Sequence, residues 1–313
     1  MRRKLSLAVF AVLVLVGTYG VVTPFLGSDY IYLPPVEKQM NEMARENPAM
    51  LNLVKKRNEK QLLRSKKVTE WSICYIHGFT ASPMELQPVV TNIAKDLRAN
   101  LFVTRLSGHG LRDPNFMERV QGQNWIDDAM ECLTVAQMMG NKTILMGTSF
   151  GGTLATLVTL NAPKPPDALV LVSPNFGIKD KAAFLLAGGL GKFIIKMMFG
   201  TYREFPAENK AHGYFWTTKH PAIALQEFMR VTLALKKQDY SQLHTPTLIA
   251  YSPDDEVLDV SQIKSFYNKI KPKVKLLISE PEWDRHVLAG DIVNPKGNRA
   301  LRFYVTDFVN KNL

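Results

Sequence analysis

The 313-residue chain is poor in cysteine, short of acid and free of repeats. Cysteine occurs twice, at Cys74 and Cys132, which excludes a small scaffold held by a disulfide framework. Cys74 falls in a strand-like apolar run and Cys132 in a helical one, so both are expected to be buried small hydrophobes and not a bonded pair. Neither lies near the amino terminus, which rules out a lipid-modified cysteine there. No internal repeat or low-complexity tract interrupts the chain. With 46% hydrophobic and 21% charged residues it is neither disordered nor collagen-like.

The shortage of acid leaves 39 Lys and Arg against 28 Asp and Glu, a formal charge of +11. Such a balance raises nucleic acid or an anionic membrane as partners. Its distribution decides between them. The stretch Lys55 to Lys67 carries seven basic groups against Glu59 alone, whereas everything from Val68 onward holds 27 basic against 23 acidic. The main body is close to balanced, and no nucleic-acid partner is expected.

Charge is also missing from Leu5 to Val22, behind the basic start Arg2-Arg3-Lys4. Eighteen residues of helix span about 27 Å, just short of the roughly 30 Å hydrocarbon core. Two expectations follow for residues 1–27. An uncleaved apolar helix from Leu5 to about Leu26 would anchor the chain with its basic end cytoplasmic and the remainder outside. Alternatively, Leu5 to Val16 is the core of a signal peptide, with Thr18-Tyr19-Gly20 as a weak cleavage site. Residues 28–67 then read as a basic connecting segment, with one or two amphipathic helices over Val36 to Leu63. Its basic run suits a solvated helix face or contact with anionic head groups.

From Trp71 strand-like runs alternate with helical patterns, which implies βαβ units and a parallel sheet. Strands are expected at 71–76, 101–106, 142–146, 168–172, 247–251 and 274–279, and helices at 83–98, 124–139, 150–160 and 299–309. Residues 174–245 break the rhythm, with an apolar stretch over Ala182 to Phe199 followed by Tyr214-Phe215-Trp216. An excursion of that length between two strands suggests an inserted helical cap.

Gly147-Thr148-Ser149-Phe150-Gly151 is a G-x-S-x-G. Alone it arises by chance in roughly one chain of this length in ten or twenty, but here it joins an expected strand to an expected helix. A turn of that kind lifts the Ser149 hydroxyl clear of the backbone. A serine hydroxyl is a weak nucleophile and needs a base, which needs an orienting acid. On such a sheet the order along the chain is serine, acid, histidine. Of six histidines only His286 follows the last plausible acid loop, Ser252-Pro253-Asp254-Asp255-Glu256-Val257-Leu258-Asp259. Asp255 is the preferred acid, with Asp254 as a turn residue and Asp259 as a helix cap the alternatives. Backbone N–H donors for a tetrahedral oxyanion are expected from Phe150, after the nucleophile, and from Phe79, in the loop after the first body strand. His77 and His109 read as loop organisers.

These motifs together resemble the α/β-hydrolase fold serine hydrolases, in the carboxylesterase and monoacylglycerol lipase-like branch that also takes in serine aminopeptidases. The matching pieces are HGFTASP at 77–83, RLSGHG at 105–110, GTSFGG at 147–152, SPDDEVLD at 252–259 and RHVLAGD at 285–291. The resemblance spans 68–313 and implies a Ser149–His286–Asp255 triad, an oxyanion hole from Phe79 and Phe150, and a cap at 174–245 that shapes substrate access. It implies hydrolysis of carboxylic esters of acyl or lipid-like character, without metal or organic cofactor. An amide or peptide hydrolase with the same triad is the alternative, and a non-catalytic tethered binding protein a remoter one. The expected location is membrane-anchored with the catalytic domain extracytoplasmic, periplasmic in a bacterium, or secreted after cleavage.

Overall fold

The computed structural model describes residues 59–63 and 67–313. In chain order the elements are β1 (Gln61–Leu63), β2 (Thr69–Ile76), α1 (Val89–Asp96), β3 (Asn100–Val103), α2 (Gly122–Met139), β4 (Gly140–Thr148), α3 (Phe150–Asn161) and β5 (Ala168–Val172). A 3-10 helix (Lys181–Ala187) leads into α4 (Gly191–Phe199), β6 (Tyr202–Glu204), α5 (Lys210–Phe215), β7 (Lys219–Pro221) and α6 (Ala224–Lys236). The chain closes with β8 (Thr247–Ala250), α7 (Val260–Lys269), β9 (Lys275–Ile278) and α8 (Asn298–Asn312).

Among the described residues seven strands form one sheet in the order β1-β3-β2-β4-β5-β8-β9. Only β1 runs antiparallel, pairing Gln61 with Val103; every other neighbour is parallel. Parallel strands covered on both faces need apolar side chains on both, and the strand sequences supply them by period two. Cys74, Ile76, Leu145, Leu169, Leu171 and Ile249 face one core layer with residues of α2, α3, α6 and α7. Ile73, Tyr75, Ile144, Met146, Val170 and Leu248 face the other, with residues of α1 and α8. Burial of each such large side chain contributes about 1.5–3 kcal/mol.

The excursion after β5 is not purely helical as expected. Two three-residue strands, β6 and β7, pair antiparallel with Arg203 opposite His220, and strands that short show no periodicity for a sequence to betray. Ala183, Leu186, Ile195, Ala222, Leu225 and Met229 form a separate small core beneath this cap, while Val231 and Leu235 of α6 extend into the main core.

Three further expectations change. The helix expected over 83–98 begins only at Val89, because Pro88 has no amide to donate within a helix running through it. The end of the connecting segment, expected to be helical, is the edge strand β1, and Lys60 of the basic run pairs with Glu131 of α2 at 2.7 Å. The expected apolar helix at 1–27 and the rest of the connector up to 58 lie outside the described residues; among those described, no helix is long and apolar enough to cross a membrane.

The largest correction concerns the cysteines. Cys74 and Cys132 form a disulfide, with Cα atoms 5.6 Å apart across 58 residues of sequence. Both are wholly buried: β2 turns Cys74 toward the layer that α2 covers, and α2 presents Cys132 to the same layer. Closing a loop of this length is worth about 2–4 kcal/mol. Protein unfolded without reductant is therefore expected to show no free thiol in a colorimetric assay, and reduction should lower the thermal midpoint by on the order of 5–15 °C for a domain of this size. Two reactive thiols in the unreduced protein would contradict the pairing.

Candidate active site

The C-terminal ends of β2, β4, β8 and β9 open on one side of the sheet, and the loops leaving them carry the residues of interest. The β4–α3 junction is the tightest. Ser149 adopts φ 51° and ψ −114°, a left-handed conformation that costs a non-glycine residue about 1–3 kcal/mol. It is held by bonds at both ends of the residue: its N–H donates to Val172 O at 2.9 Å, and its carbonyl accepts from Gly152 and Asn175. Only glycine fits the flanks. A Cβ at Gly147 would lie 2.3 Å from Gly151 O, and one at Gly151 would lie 2.2 Å from Ile76 O.

His286, in the loop after β9, brings its Nε2 to 2.9 Å from Ser149 Oγ. Its Nδ1 lies 2.7 Å from Asp255 Oδ2. Because a carboxylate only accepts, the imidazole proton sits on Nδ1 and Nε2 is left to accept from the serine hydroxyl. Asp255 is 1% exposed, and its Oδ1 accepts the amides of Val257 at 2.9 Å and Leu258 at 2.8 Å. Burial pushes this carboxyl up, but the bond to His286, the imidazole charge and the two amides together hold it below the usual carboxylate range. The structure thus brings Ser149, His286 and Asp255 into one hydrogen-bonded chain. The two alternative acids fall elsewhere: Asp254 is an exposed turn residue, and Asp259 caps α7 by accepting from Ser261 N.

The residues expected to supply oxyanion donors lie beside Ser149, Phe150 as the next residue and Phe79 after Gly78, where a Cβ would meet Ser149 Cβ at 3.3 Å. Phe150 is the first residue of α3, where an amide has no intrahelical acceptor. The Phe79 amide belongs to a peptide clamped from its other side. His77 Nδ1 donates to Gly78 O at 2.9 Å, while its Nε2 accepts from Leu106 N at 3.1 Å. A trans peptide sets N–H opposite C=O, so fixing the Gly78 carbonyl fixes the direction of the Phe79 N–H. Among the described residues neither amide has a protein acceptor. Burial lowers the His77 pKa to about 3 and the His109 pKa well below its usual value, so both remain neutral, as loop organisers should.

Glu85 was not foreseen. It is the only charged residue between Glu70 and Lys95, and that isolation in an apolar stretch was the available signal. It is 3% exposed, and its Oε2 accepts from Gly78 N at 2.8 Å and from Tyr75 OH at 2.9 Å. The Tyr75 hydroxyl is also 3.1 Å from Thr148 Oγ1, beside Ser149. Ser149, His286, Phe79 and Glu85 all border one cavity of about 660 Å³, walled on the cap side by Ile194, Met198, Phe199, Leu225 and Met229. Among the described residues no group of three or more His, Cys, Asp and Glu is placed to hold a metal.

A parallel sheet with this strand order, a serine on the sharp turn after its central strand, and histidine and acid on later loops define an α/β-hydrolase fold. The chain belongs to the serine aminopeptidase, S33, family, whose model matches residues 68–291. No curated protein matches it by sequence. Among solved structures it is similar to the metagenome-derived lipolytic enzymes LipS and LipT, with TM-score 0.67 and 17% identity over 83% of this chain and 100% of that one. It is also similar to a soluble variant of the Saccharomyces cerevisiae monoglyceride lipase bound to a substrate analogue, with TM-score 0.63 and 12% identity over 92% and 99%. The Paleococcus ferrophilus monoacylglycerol lipase gives 0.58 and 14% over 79% and 99%.

Burial raises the Glu85 carboxyl from 4.5 to about 7, against the opposing pull of the Gly78 amide, the Tyr75 hydroxyl and the His286 charge. A raised acid favours the folded state while it stays protonated. Its contribution is full below the unfolded value and is lost as pH rises through the folded one. Wild-type protein should therefore lose on the order of 3 kcal/mol relative to Glu85→Gln between about pH 4.5 and pH 8. Urea unfolding of both proteins at the two pH values measures this; a difference that does not change with pH would contradict it.

Proposed function

We propose that this protein is a serine hydrolase of carboxylic esters, with lipid-like acyl esters as its preferred class. The observation that carries the proposal is the Ser149–His286–Asp255 hydrogen-bonded chain opening onto a largely apolar cavity. Ser149 Oγ attacks the ester carbonyl while His286 Nε2 takes its proton, and Asp255 stabilises the resulting imidazolium. The Phe79 and Phe150 amides receive the carbonyl oxygen as it becomes an oxyanion. Collapse expels the alcohol, which takes the proton back from His286. A water molecule, deprotonated by the same nitrogen, then releases the acid from the acyl-enzyme and restores Ser149. The apolar cap wall supports an acyl chain as the group bound there, and the lipase names of the structural neighbours are consistent with it.

Peptide hydrolysis is the second reading, favoured by the description of the family. An aminopeptidase must receive a free α-ammonium group on acceptors. Of the three acids bordering the cavity, Glu85 is engaged by the Gly78 amide and the Tyr75 hydroxyl, Glu256 by the His286 amide, and Asp180 stands exposed, while Arg203 adds a guanidinium whose pKa burial pushes down. That wall suits an uncharged acyl group better than a cation.

For the remainder of the chain, we infer an anchor or a cleaved signal at 1–27, a connector behind it, and an extracytoplasmic hydrolase body from about 68 onward. The apolar run after Arg2-Arg3-Lys4 supports this address, as does a disulfide, which persists in oxidising compartments. Carbonate extraction of membranes followed by mass measurement of the mature amino terminus separates anchor from signal, and a soluble, unprocessed chain would overturn both.

Full-length protein is expected to hydrolyse p-nitrophenyl esters, with kcat/KM rising from acetyl toward longer acyl chains. Ser149→Ala should lower kcat by about 10⁶-fold, and Asp255→Asn by about 10⁴-fold. Turnover of aminoacyl amides without turnover of any ester would move the assignment to a peptidase.

A further inference from the structure

Glu85 has no part in the proton transfers above, yet it contacts the loop before Phe79, the tyrosine that reaches Thr148, and the loop that carries His286. Its Oε2 holds the amide of Gly78, the residue just before Phe79. Through the Tyr75 hydroxyl it reaches Thr148, the residue just before Ser149. Its own backbone supports the histidine loop: Gly290 is so close that a Cβ there would lie 2.1 Å from Glu85 O, and the next residue, Asp291, donates to Gln87 O at 3.0 Å. Gly78 itself is wedged between the carboxyl and the nucleophile, since a Cβ on it would meet Glu85 Oε1 at 2.9 Å and Ser149 Cβ at 3.3 Å. A neutral amide or hydroxyl would satisfy the Gly78 N–H at less cost in burial than an ionisable acid, so a carboxyl at this position calls for another explanation.

We propose that Glu85 is a positioning residue that must be ionised for full activity: its carboxylate holds the His77–Gly78 peptide, and with it the start of the loop that carries the Phe79 N–H, and stabilises the imidazolium that His286 becomes when Ser149 attacks. The proposal rests on the ester-hydrolase reading and adds to it a second carboxylate, distinct from Asp255 and supplied by the turn after β2. The titratable groups facing Glu85 are Tyr75 from β2 and His286 from the loop after β9, and His286 favours the charged form of Glu85. Tyr75 stays protonated, held well above its usual range by burial and by Glu85 itself. Attraction between two groups is mutual, so a charged Glu85 favours the imidazolium by as much as the imidazolium favours it. Ionisation of Glu85 near pH 7 then adds a second proton-dependent step to the acid side of the rate profile.

The test is the pH dependence of kcat and KM for wild type, Glu85→Gln and Tyr75→Phe acting on one soluble ester. In the wild type, log kcat should fall on the acid side more steeply than one across the ionisation of Glu85 and return to a limiting slope of one below it. In Glu85→Gln the steeper segment should be absent and the plateau rate fall roughly tenfold with KM unchanged, short of the loss from deleting an oxyanion donor. Tyr75→Phe keeps the acid but removes a donor to its charged form, so its acid limb should move to higher pH with the slope retained. A merely structural Glu85 would leave slope and limb alone. Glu85→Gln with wild-type slope and plateau overturns the proposal, as does a Tyr75→Phe limb that does not move; the second result decides the matter if Glu85→Gln fails to fold. A wild type inert toward esters would sink the ester reading by itself. Glu85 is then judged from the rate of Ser149 labelling by a fluorophosphonate, where the same loss of the second ionisation supports the proposal and its persistence overturns it.

Discussion

The turn at Ser149 is the constraint from which the site is built. A residue forced into left-handed backbone between a buried strand and a buried helix can be held only if everything around it is fixed. Here the fixing groups are the ends of neighbouring strands: Val172 O from β5 accepts the serine amide, and Ile76 O from β2 presses on Gly151. The sheet order is therefore not incidental to the chemistry. Because β2 and β5 flank β4, the loop carrying Phe79 leaves one neighbour and the clamp on Ser149 leaves the other. Asp255 then arrives from β8 and His286 from the loop after β9, each on the same edge.

Around this turn the polar groups are layered by charge. Asp255 is buried but satisfied by two amides and an imidazole, and it stays ionised. His77 and His109 are buried without a counter-charge and stay neutral, which suits residues that only shape a loop. Glu85 falls between these cases, with two donors and the His286 charge against full burial, and its ionisation lands near neutral pH. The two carboxyls thus differ because one is given more hydrogen bonds than the other. The cap contributes mainly apolar shape: α4 and α6 face the cavity with aliphatic, methionine and phenylalanine side chains, Arg203 of β6 adds one guanidinium, and the Thr217 amide ties the cap to the loop after β2 at Thr80 O.

The parts of this arrangement that local pattern encodes were legible in the sequence. G-x-S-x-G between a strand and a helix, an acid after a later strand and a histidine after the last one each carry their own local signal. The order of the three along the chain selects His286 from six histidines. What pattern does not encode was missed. The disulfide joins residues 58 apart, and nothing in the strand period of Cys74 or the helical period of Cys132 says that the two elements touch. Strands of three residues, β1, β6 and β7, are shorter than one full test of alternation. Glu85 stands in a turn, and its importance lies wholly in what folding places above it.

The central claim is that the strained serine is the nucleophile. Rapid quenching of the full-length protein with a p-nitrophenyl ester at low pH, followed by intact-mass measurement and peptide mapping, tests it directly. The account predicts one added acyl group, carried on Ser149, that accumulates while deacylation is slowed and disappears on return to neutral pH. Turnover without any covalent adduct, or an acyl group on a different residue, would contradict it.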